Sequence, residues 1–274
     1  MPWQAEVLQA SVKLWLRPIH PLQSKGIERR AALAADHQVR MCTNYRATSR
    51  DLLRARGISL ADDREYPPET YPGYLAPMVR SNSTGELQCA LAGFGLVPYW
   101  AEDKKFPRHT YNCRSETVAS KPSFRNAWRN NQRCLIPMTA FFEPHYGSGK
   151  PVRWRIERAD GDPIMVAGIF DTWRAPDADW WLSFSMLAIN ADSDPLMKQF
   201  HAPTDEKRSL VAIDRANWAQ WLNTGNADVH HLLAPGIDAD SFAATSDPRV
   251  SRVRTTSVDS PVIEKRLGLK CSTI

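Results

Sequence analysis

Cysteine is scarce in this chain, and its five copies (Cys42, Cys89, Cys113, Cys134 and Cys271) are an odd number, widely spaced and without a Cys-x-x-Cys pair. That spacing excludes a zinc ribbon and a dithiol redox couple. The missing disulfide framework favours a reducing compartment, so a cytoplasmic protein is expected. No apolar run approaches the roughly 20 residues of a membrane span. Residues 1–40 lack the continuous apolar core and small-residue cleavage site of a secretory signal; Lys13, Arg17, Lys25, Arg29, Arg30 and Arg40 are interspersed with Glu6, Glu28 and Asp36. Internal repeats, heptads, low-complexity tracts and clusters of metal ligands are absent as well, so no cofactor and no metal is expected.

What remains is the composition of a soluble globular protein, 24% charged and 43% hydrophobic. At 274 residues, with no spacer between halves, one large domain is expected. The formal charge of +5 is compatible with a polyanionic partner. Strand-like runs recur at Leu87–Val97, Arg133–Phe142, Val152–Glu157, Pro163–Phe170, Trp181–Ile189 and Arg208–Ile213. Helical patterns fall at Ser49–Gly57, Pro122–Asn130, Pro195–Phe200, Arg215–Leu222 and Ala227–Leu233. Thr48 or Ser49 reads as the N-cap of the first, Gly57 as its left-handed end, and Asp214 as a cap for the helix bearing Trp218 and Trp221. The proline- and tyrosine-rich stretch from Asp62 to Pro77 reads as extended loop. Strands and helices mix without a strict β-α-β alternation, so the expected class is α+β: a curved, mostly antiparallel, barrel-like sheet with short helices around it.

The chemistry begins at Cys42, directly after Met41. An N-terminal cysteine carries a thiol and an α-amine on adjacent carbons, a pair that condenses with an aldehyde to an imine and then closes a thiazolidine ring. An α-amine titrates near 8 and a lysine amine near 10.4, so roughly a tenth of the former is free base at neutral pH. Residues 1–40 would block that amine, and they are read as a misassigned upstream start or a removable leader. Three polar residues downstream are candidate partners. Asn112 sits in the polar string Tyr111-Asn-Cys-Arg-Ser-Glu-Thr117, which also fits a capped turn. Glu143 ends an apolar run that would raise a carboxyl pKa, unless it lies exposed past the strand end. His201 follows a helix-like segment and could be structural or catalytic.

Several strings in order resemble one family: Tyr74-Leu-Ala-Pro-Met-Val-Arg80, Gly93-Phe-Gly-Leu-Val-Pro-Tyr-Trp100, Asn112-Cys-Arg-Ser-Glu-Thr117, Arg133-Cys-Leu-Ile-Pro137, Ala140-Phe-Phe-Glu143 and the late His201. From Met41 nearly to its end the chain resembles the SOS response-associated peptidase (SRAP) domain proteins, which process abasic sites in single-stranded DNA. The resemblance implies an SRAP domain over 41–274, acting as a monomer on single-stranded DNA containing abasic sites. It implies Cys42 as the nucleophile that crosslinks to the ring-opened sugar and Asn112 as the group that positions it. Glu143 would move protons, and His201 would assist ring opening, crosslink reversal or lyase-type strand cleavage. Arg80 and Arg114 become phosphate contacts, and Trp100 a wedge or stacking platform, or else a core residue.

Departures from the usual pattern follow three of these residues. Thr43-Asn44-Tyr45-Arg46 stands where Gly-Arg is frequent after the cysteine, so the arginine contact shifts to Arg46 or is lost. Pro144 replaces a common tryptophan, and Ala202 to Arg208 replaces a frequent Asp-Arg-Met-Pro string, leaving Arg208 as a candidate substitute. Two other functions stay open on sequence alone: a cysteine hydrolase that cleaves itself between Met41 and Cys42 with His201 activating the thiol, and a noncovalent single-stranded nucleic-acid binding module.

Overall fold

The computed structural model describes residues 42–102, 107–174, 180–233 and 239–249. Five strands close on one another: β4 (Leu75–Ser81), β5 (Leu87–Phe94), β7 (Arg133–His145), β9 (Ile164–Arg174) and β10 (Trp180–Asn190). β4 pairs antiparallel with β5, β5 parallel with β10, β10 antiparallel with β9, β9 antiparallel with β7, and β7 meets β4 again at Val79↔Leu135. The result is a closed mixed barrel with outer strands attached, as the curved-sheet expectation required. β1 (Tyr45–Ala47) lies between β7 and β3 (Glu69–Thr70). β2 (Ser59–Leu60) runs along β5, β6 (Asn112–Arg114) and β11 (Arg208–Leu210) flank β10, and β12 (Phe242–Ser246) extends β8 (Val152–Arg158).

Alternation along the barrel strands sorts the core into two layers. Met78, Cys134, Val166 and Met186 turn inward with Phe94 and Phe184, and their neighbours Val79, Leu135, Ala167 and Leu187 turn outward beneath Trp128, Trp218 and Trp221. Each such fully buried aliphatic or aromatic side chain contributes about 1.5–3 kcal/mol. Gly168 on β9 leaves no room for a side chain between β7 and β10: a Cβ there would overlap Ile136 and the Ser185 carbonyl.

The helices are short. α1 (Arg50–Ala55) begins as expected, with Ser49 Oγ accepting from Leu52 N–H at 3.4 Å, and Gly57 adopts φ +78° at its end. α2 (Pro107–Thr110) leads into β6, α3 (Arg125–Arg129) is the core of the Pro122–Asn130 pattern, and α4 (Trp218–Asn223) extends a 3-10 turn over Arg215–Asn217. Asp214 makes no capping bond there, whereas Asp194 Oδ1 accepts from the Leu196 and Met197 N–H groups. The Pro195–Phe200 and Ala227–Leu233 patterns form only 3-10 turns.

One stretch differs in kind. The Asp62–Pro77 segment, read as loop, contains β3 and the start of barrel strand β4, with Pro77 opposite Leu91. Because the β4–β7 ladder is limited to Val79↔Leu135, Pro77 lies off it, and its missing N–H breaks no rung to β7. Burial of Ala76 and Met78 outweighs the local preference for irregular chain. Among the described residues no helix is long and apolar enough to cross a membrane. Residues 1–40, read as an extension or leader, lie outside the described residues.

Candidate active site

Strand register brings Cys42 to Glu143. β1 pairs with β7 through Tyr45↔Phe141, and Phe142 N–H donates to the Asn44 carbonyl at 3.2 Å, so the chain leaving β1 backwards runs beside the end of β7. The backbone N–H of Cys42 hydrogen-bonds the Glu143 carboxyl. This nitrogen is the atom that would become an α-amine if the residues before it were removed. The Cys42 thiol donates to the Asn44 carbonyl at 3.3 Å and is almost fully buried. Burial, and secondarily the nearby Glu143, push its pKa upward and hold it as the neutral thiol.

His201 reaches the same place by a turn from the other side. After the 3-10 turn Met197–Gln199, its N–H donates to the Pro144 carbonyl at 3.0 Å, so the proline after Glu143 serves as the anchor for the histidine. His201 has φ +66°, a left-handed conformation unusual for a side-chain-bearing residue. Its Nε2 lies 2.9 Å from the Arg208 carbonyl and its Nδ1 3.6 Å from Glu143 Oε2. A carbonyl only accepts, so Nε2 carries the proton and Nδ1 of the neutral ring turns a lone pair to the carboxyl. Burial raises the Glu143 pKa well above the carboxylate range and lowers that of His201. Both effects favour one arrangement: a protonated carboxyl against a neutral imidazole.

Asn112 opens β6, parallel to β10 at Met186. Its Nδ2 donates to the Cys42 carbonyl at 3.1 Å, and its Oδ1 is buried with no partner among the described residues. An unfilled buried acceptor beside the thiol is a place for a substrate hydroxyl or an amine to donate.

Cys42, Asn112, Glu143 and His201 therefore converge, and the remaining candidates are distributed around them. Arg80 lies near the other end of β7, its guanidinium 5.7 Å from the Phe170 ring centroid and close to Cys134. Arg46 points outward from β1. Arg114 is exposed and pairs with Glu206 at 3.2 Å. Trp100 is 44% exposed, which excludes the core role considered for it. Arg208 is buried, with its guanidinium on Glu116 at 2.7 Å and Glu206 at 2.6 Å; its link to the site is its backbone carbonyl, not its charge. A cavity of about 470 Å³ near Leu53, Met165 and Trp218 includes none of these residues.

Sequence reasoning missed the residue that holds the thiol. Asn44 is buried, and its Nδ2 donates to the Thr70 carbonyl at 3.2 Å while its Oδ1 accepts from Arg153 at 3.0 Å and Arg249 at 3.3 Å. Arg153 also pairs with Glu69 and Asp247 and lies over the Phe142 ring. The only local signal was an asparagine where an arginine is frequent; its partners come from β8 and the segment after β12.

A cysteine–histidine dyad is not formed here. The thiol donates to Asn44, and both His201 ring nitrogens face other groups.

Comparison with known proteins gives the family and the fold. The family model described as SOS response associated peptidase (SRAP) matches residues 41–253. The abasic site processing protein YobE of Bacillus subtilis is 30% identical over 168 residues, which is 60% of this chain and 70% of that protein. YoqW, an abasic site processing protein of the same organism, is 29% identical over 167 residues, 60% of this chain and 69% of its own. The abasic site processing protein HMCES of Xenopus tropicalis is 26% identical over 170 residues, covering 55% of this chain and 49% of HMCES. A crystal structure from Bordetella bronchiseptica superposes with a TM-score of 0.70 at 33% identity, over 76% of this chain and all of that one. A Bacteroides thetaiotaomicron structure, at TM-score 0.65 and 20% identity over 75% of this chain and 91% of that one, shares the fold.

Proposed function

This chain belongs to the SOS response associated peptidase family, and from that premise we propose that it processes abasic sites in single-stranded DNA by covalent capture of the ring-opened sugar at Cys42. The observation that carries the reading is the hydrogen bond from the Cys42 backbone nitrogen to the Glu143 carboxyl. Once residues 1–41 are removed, the same nitrogen becomes an α-amine already facing a proton carrier.

The reaction balances with one water released. The free amine adds to the aldehyde carbon, giving a carbinolamine; the buried acid Glu143 supplies a proton to its hydroxyl, which leaves as water, and the proton still on nitrogen returns to the Glu143 carboxylate, leaving an imine. The Cys42 sulfur then bonds to the imine carbon, and the thiol proton ends on the ring nitrogen. His201, fixed through Nε2 by the Arg208 carbonyl, exchanges protons with Glu143 through Nδ1. Asn112 holds the Cys42 carbonyl and offers its unfilled Oδ1 to a sugar hydroxyl. While protonated, a freed α-amine would also draw down the raised thiol pKa; once it gives up its proton it is the group that attacks first.

Intact mass spectrometry tests this directly. Protein started at Met1 and at Met41 is incubated with a single-stranded oligonucleotide containing one abasic site. The form beginning at Cys42 should gain the oligonucleotide mass less one water, and Cys42→Ala should gain nothing. If neither form ever becomes attached to the oligonucleotide, the covalent reading is wrong. Attachment that persists in Cys42→Ala would also sink it.

A further inference from the structure

Cys42 is held at both of its reacting atoms. Its backbone nitrogen bonds the Glu143 carboxyl, and its thiol donates to the Asn44 carbonyl at 3.3 Å. The same carbonyl accepts from Phe142 N–H at 3.2 Å, so the place of the sulfur depends on where Asn44 stands against β7. The β1–β7 and β1–β3 ladders begin one residue later, at Tyr45, and leave Asn44 to be fixed by its side chain. Its Nδ2 donates to the Thr70 carbonyl at 3.2 Å, and its Oδ1 accepts from Nη2 of Arg153 at 3.0 Å and of Arg249 at 3.3 Å. A guanidinium only donates and a carbonyl only accepts, which leaves one orientation for the amide.

Arg153 is the centre of that arrangement. It stands on β8 opposite Pro144, the residue after Glu143. Its Cζ lies 3.4 Å from the ring centroid of Phe142, the residue before Glu143. One guanidinium therefore touches the side chains of Asn44 and Phe142, and so joins the segment that carries Cys42 to the segment that carries Glu143. Two carboxylates aim it. Glu69 of β3 accepts from Nη2, and Asp247, just after β12, accepts from Nη1 at 3.0 Å while its N–H donates to the Arg153 carbonyl at 2.9 Å.

Stability alone does not account for this convergence. The Glu69 and Asp247 side chains are 40% and 36% exposed, and ion pairs that reach water contribute little to folding. What a planar fork of donors supplies is direction, because its stack on the ring and the lines of its hydrogen bonds are set together.

We propose that Arg153 is a positioning residue for closure of the thiazolidine ring. By locking the Asn44 amide it fixes the carbonyl that holds the Cys42 sulfur, and with it the approach of the sulfur to the imine carbon. The inference rests on the reading that Cys42 captures an aldehyde. In this step the C–S bond forms, the S–H bond breaks, and the π pair of the imine binds the released proton on nitrogen. Imine formation does not pass through Arg153, since the β7–β8 ladder places Glu143 opposite Trp154 and its carboxyl reaches the Cys42 nitrogen directly.

The test uses protein started at Met41 and freed of that methionine, mixed with a single-stranded oligonucleotide containing one abasic site and quenched with borohydride at a series of times. Imine and thiazolidine have the same mass, but borohydride reduces the imine, which gains two hydrogens, so intact mass spectrometry separates them. Arg153→Met should slow the conversion of reducible to resistant adduct by up to about 100-fold, as a misplacement on the order of 1 Å does, with the imine appearing at the wild-type rate. Arg153→Lys keeps the charge without the fork and should show the same lag. Asn44→Ala should match Arg153→Met, and the double variant should be no slower than either, because both act through one amide. Equal slowing of both steps, or wild-type closure in Arg153→Lys, would overturn the positioning role.

A second readout needs no DNA. In the full chain, Arg153→Met should speed alkylation of Cys42 by iodoacetamide about 5- to 30-fold, the opening released by one or two lost hydrogen bonds, and unchanged labelling would count against the inference. If the wild type never attaches to the oligonucleotide, the capture reading and ring closure fall together. Faster labelling would then show only that Arg153 holds the thiol.

Discussion

Nδ1 of His201 stands 3.6 Å from Oε2 of Glu143, with both side chains almost entirely withdrawn from water. The Arg208 carbonyl on Nε2 leaves a lone pair at Nδ1, and only a proton between the two groups makes the approach favourable. Burial decides where that proton resides, since a charged member of either kind would be desolvated. The pair is therefore a neutral acid and a neutral base, one hydrogen bond from the nitrogen of Cys42.

Glu143→Gln should separate stability from activity. The raised folded pKa means the native state keeps a proton that the unfolded chain releases above about 4.5, so this contribution is complete below that pH and is lost as pH rises through the folded value. Urea unfolding from pH 4 to 8 should show the wild type losing stability relative to the glutamine variant. Crosslinking by the variant should slow by about 10²- to 10⁴-fold. A wild-type curve parallel to that of the variant would contradict the protonated carboxyl.

His201 has the opposite sign. Its folded pKa is lowered, so its contribution is present above about 6.5 and is lost as pH falls through the folded value. His201→Asn tolerates the left-handed backbone and should fold, removing the acid-side loss while slowing the chemistry. His201→Val adds strain of about 1–2 kcal/mol. Equal melting temperatures for the two variants would show that the backbone conformation carries no cost.

Cys42 should be a poor nucleophile in the full chain. Each unit of upward shift cuts the thiolate fraction about tenfold, so alkylation by iodoacetamide at pH 8 should be at least about tenfold slower than for a cysteine in a short peptide. Removal of residues 1–41 should accelerate it. Mass spectrometric labelling kinetics distinguish these outcomes, and fast labelling of the full chain would contradict a sequestered thiol.

Arg208→Met should cost stability without removing the chemistry. Losing the guanidinium frees Glu116 and Glu206 from a buried partner, but both carboxylates reach water, so about 1–3 kcal/mol is expected in place of the full cost of a broken buried pair. Because His201 uses the backbone carbonyl, crosslinking well below the melting temperature should stay within about threefold of wild type. A far larger loss of rate would assign the guanidinium itself to the reaction.

Much of the strand order was legible, since six apolar runs correspond to β5 and β7 through β11. α1 was legible almost to the residue, because Ser49 and Gly57 act through bonds and dihedrals of their immediate neighbours. β4 was not: prolines and tyrosines on its N-terminal side signal irregular chain, and only pairing with β5 makes Leu75–Ser81 a strand. The same distinction applies to helices read as longer than they are, whose lengths are limited by what the barrel surface accepts.

The sequence by itself determined the chemical inventory: a cysteine that could be freed to present an amine and a thiol, a carboxyl at the end of an apolar run, an amide and an imidazole. Tertiary structure decided their convergence. Cys42, Asn112, Glu143 and His201 meet because β1 pairs with β7, β6 lies on β10, and His201 hydrogen-bonds Pro144. It also decided the protonation of Glu143 and the grip of Arg153 and Arg249 on Asn44. Registers across a closed barrel join residues far apart in the chain, and both desolvation and long-range hydrogen bonds exist only once those registers are set.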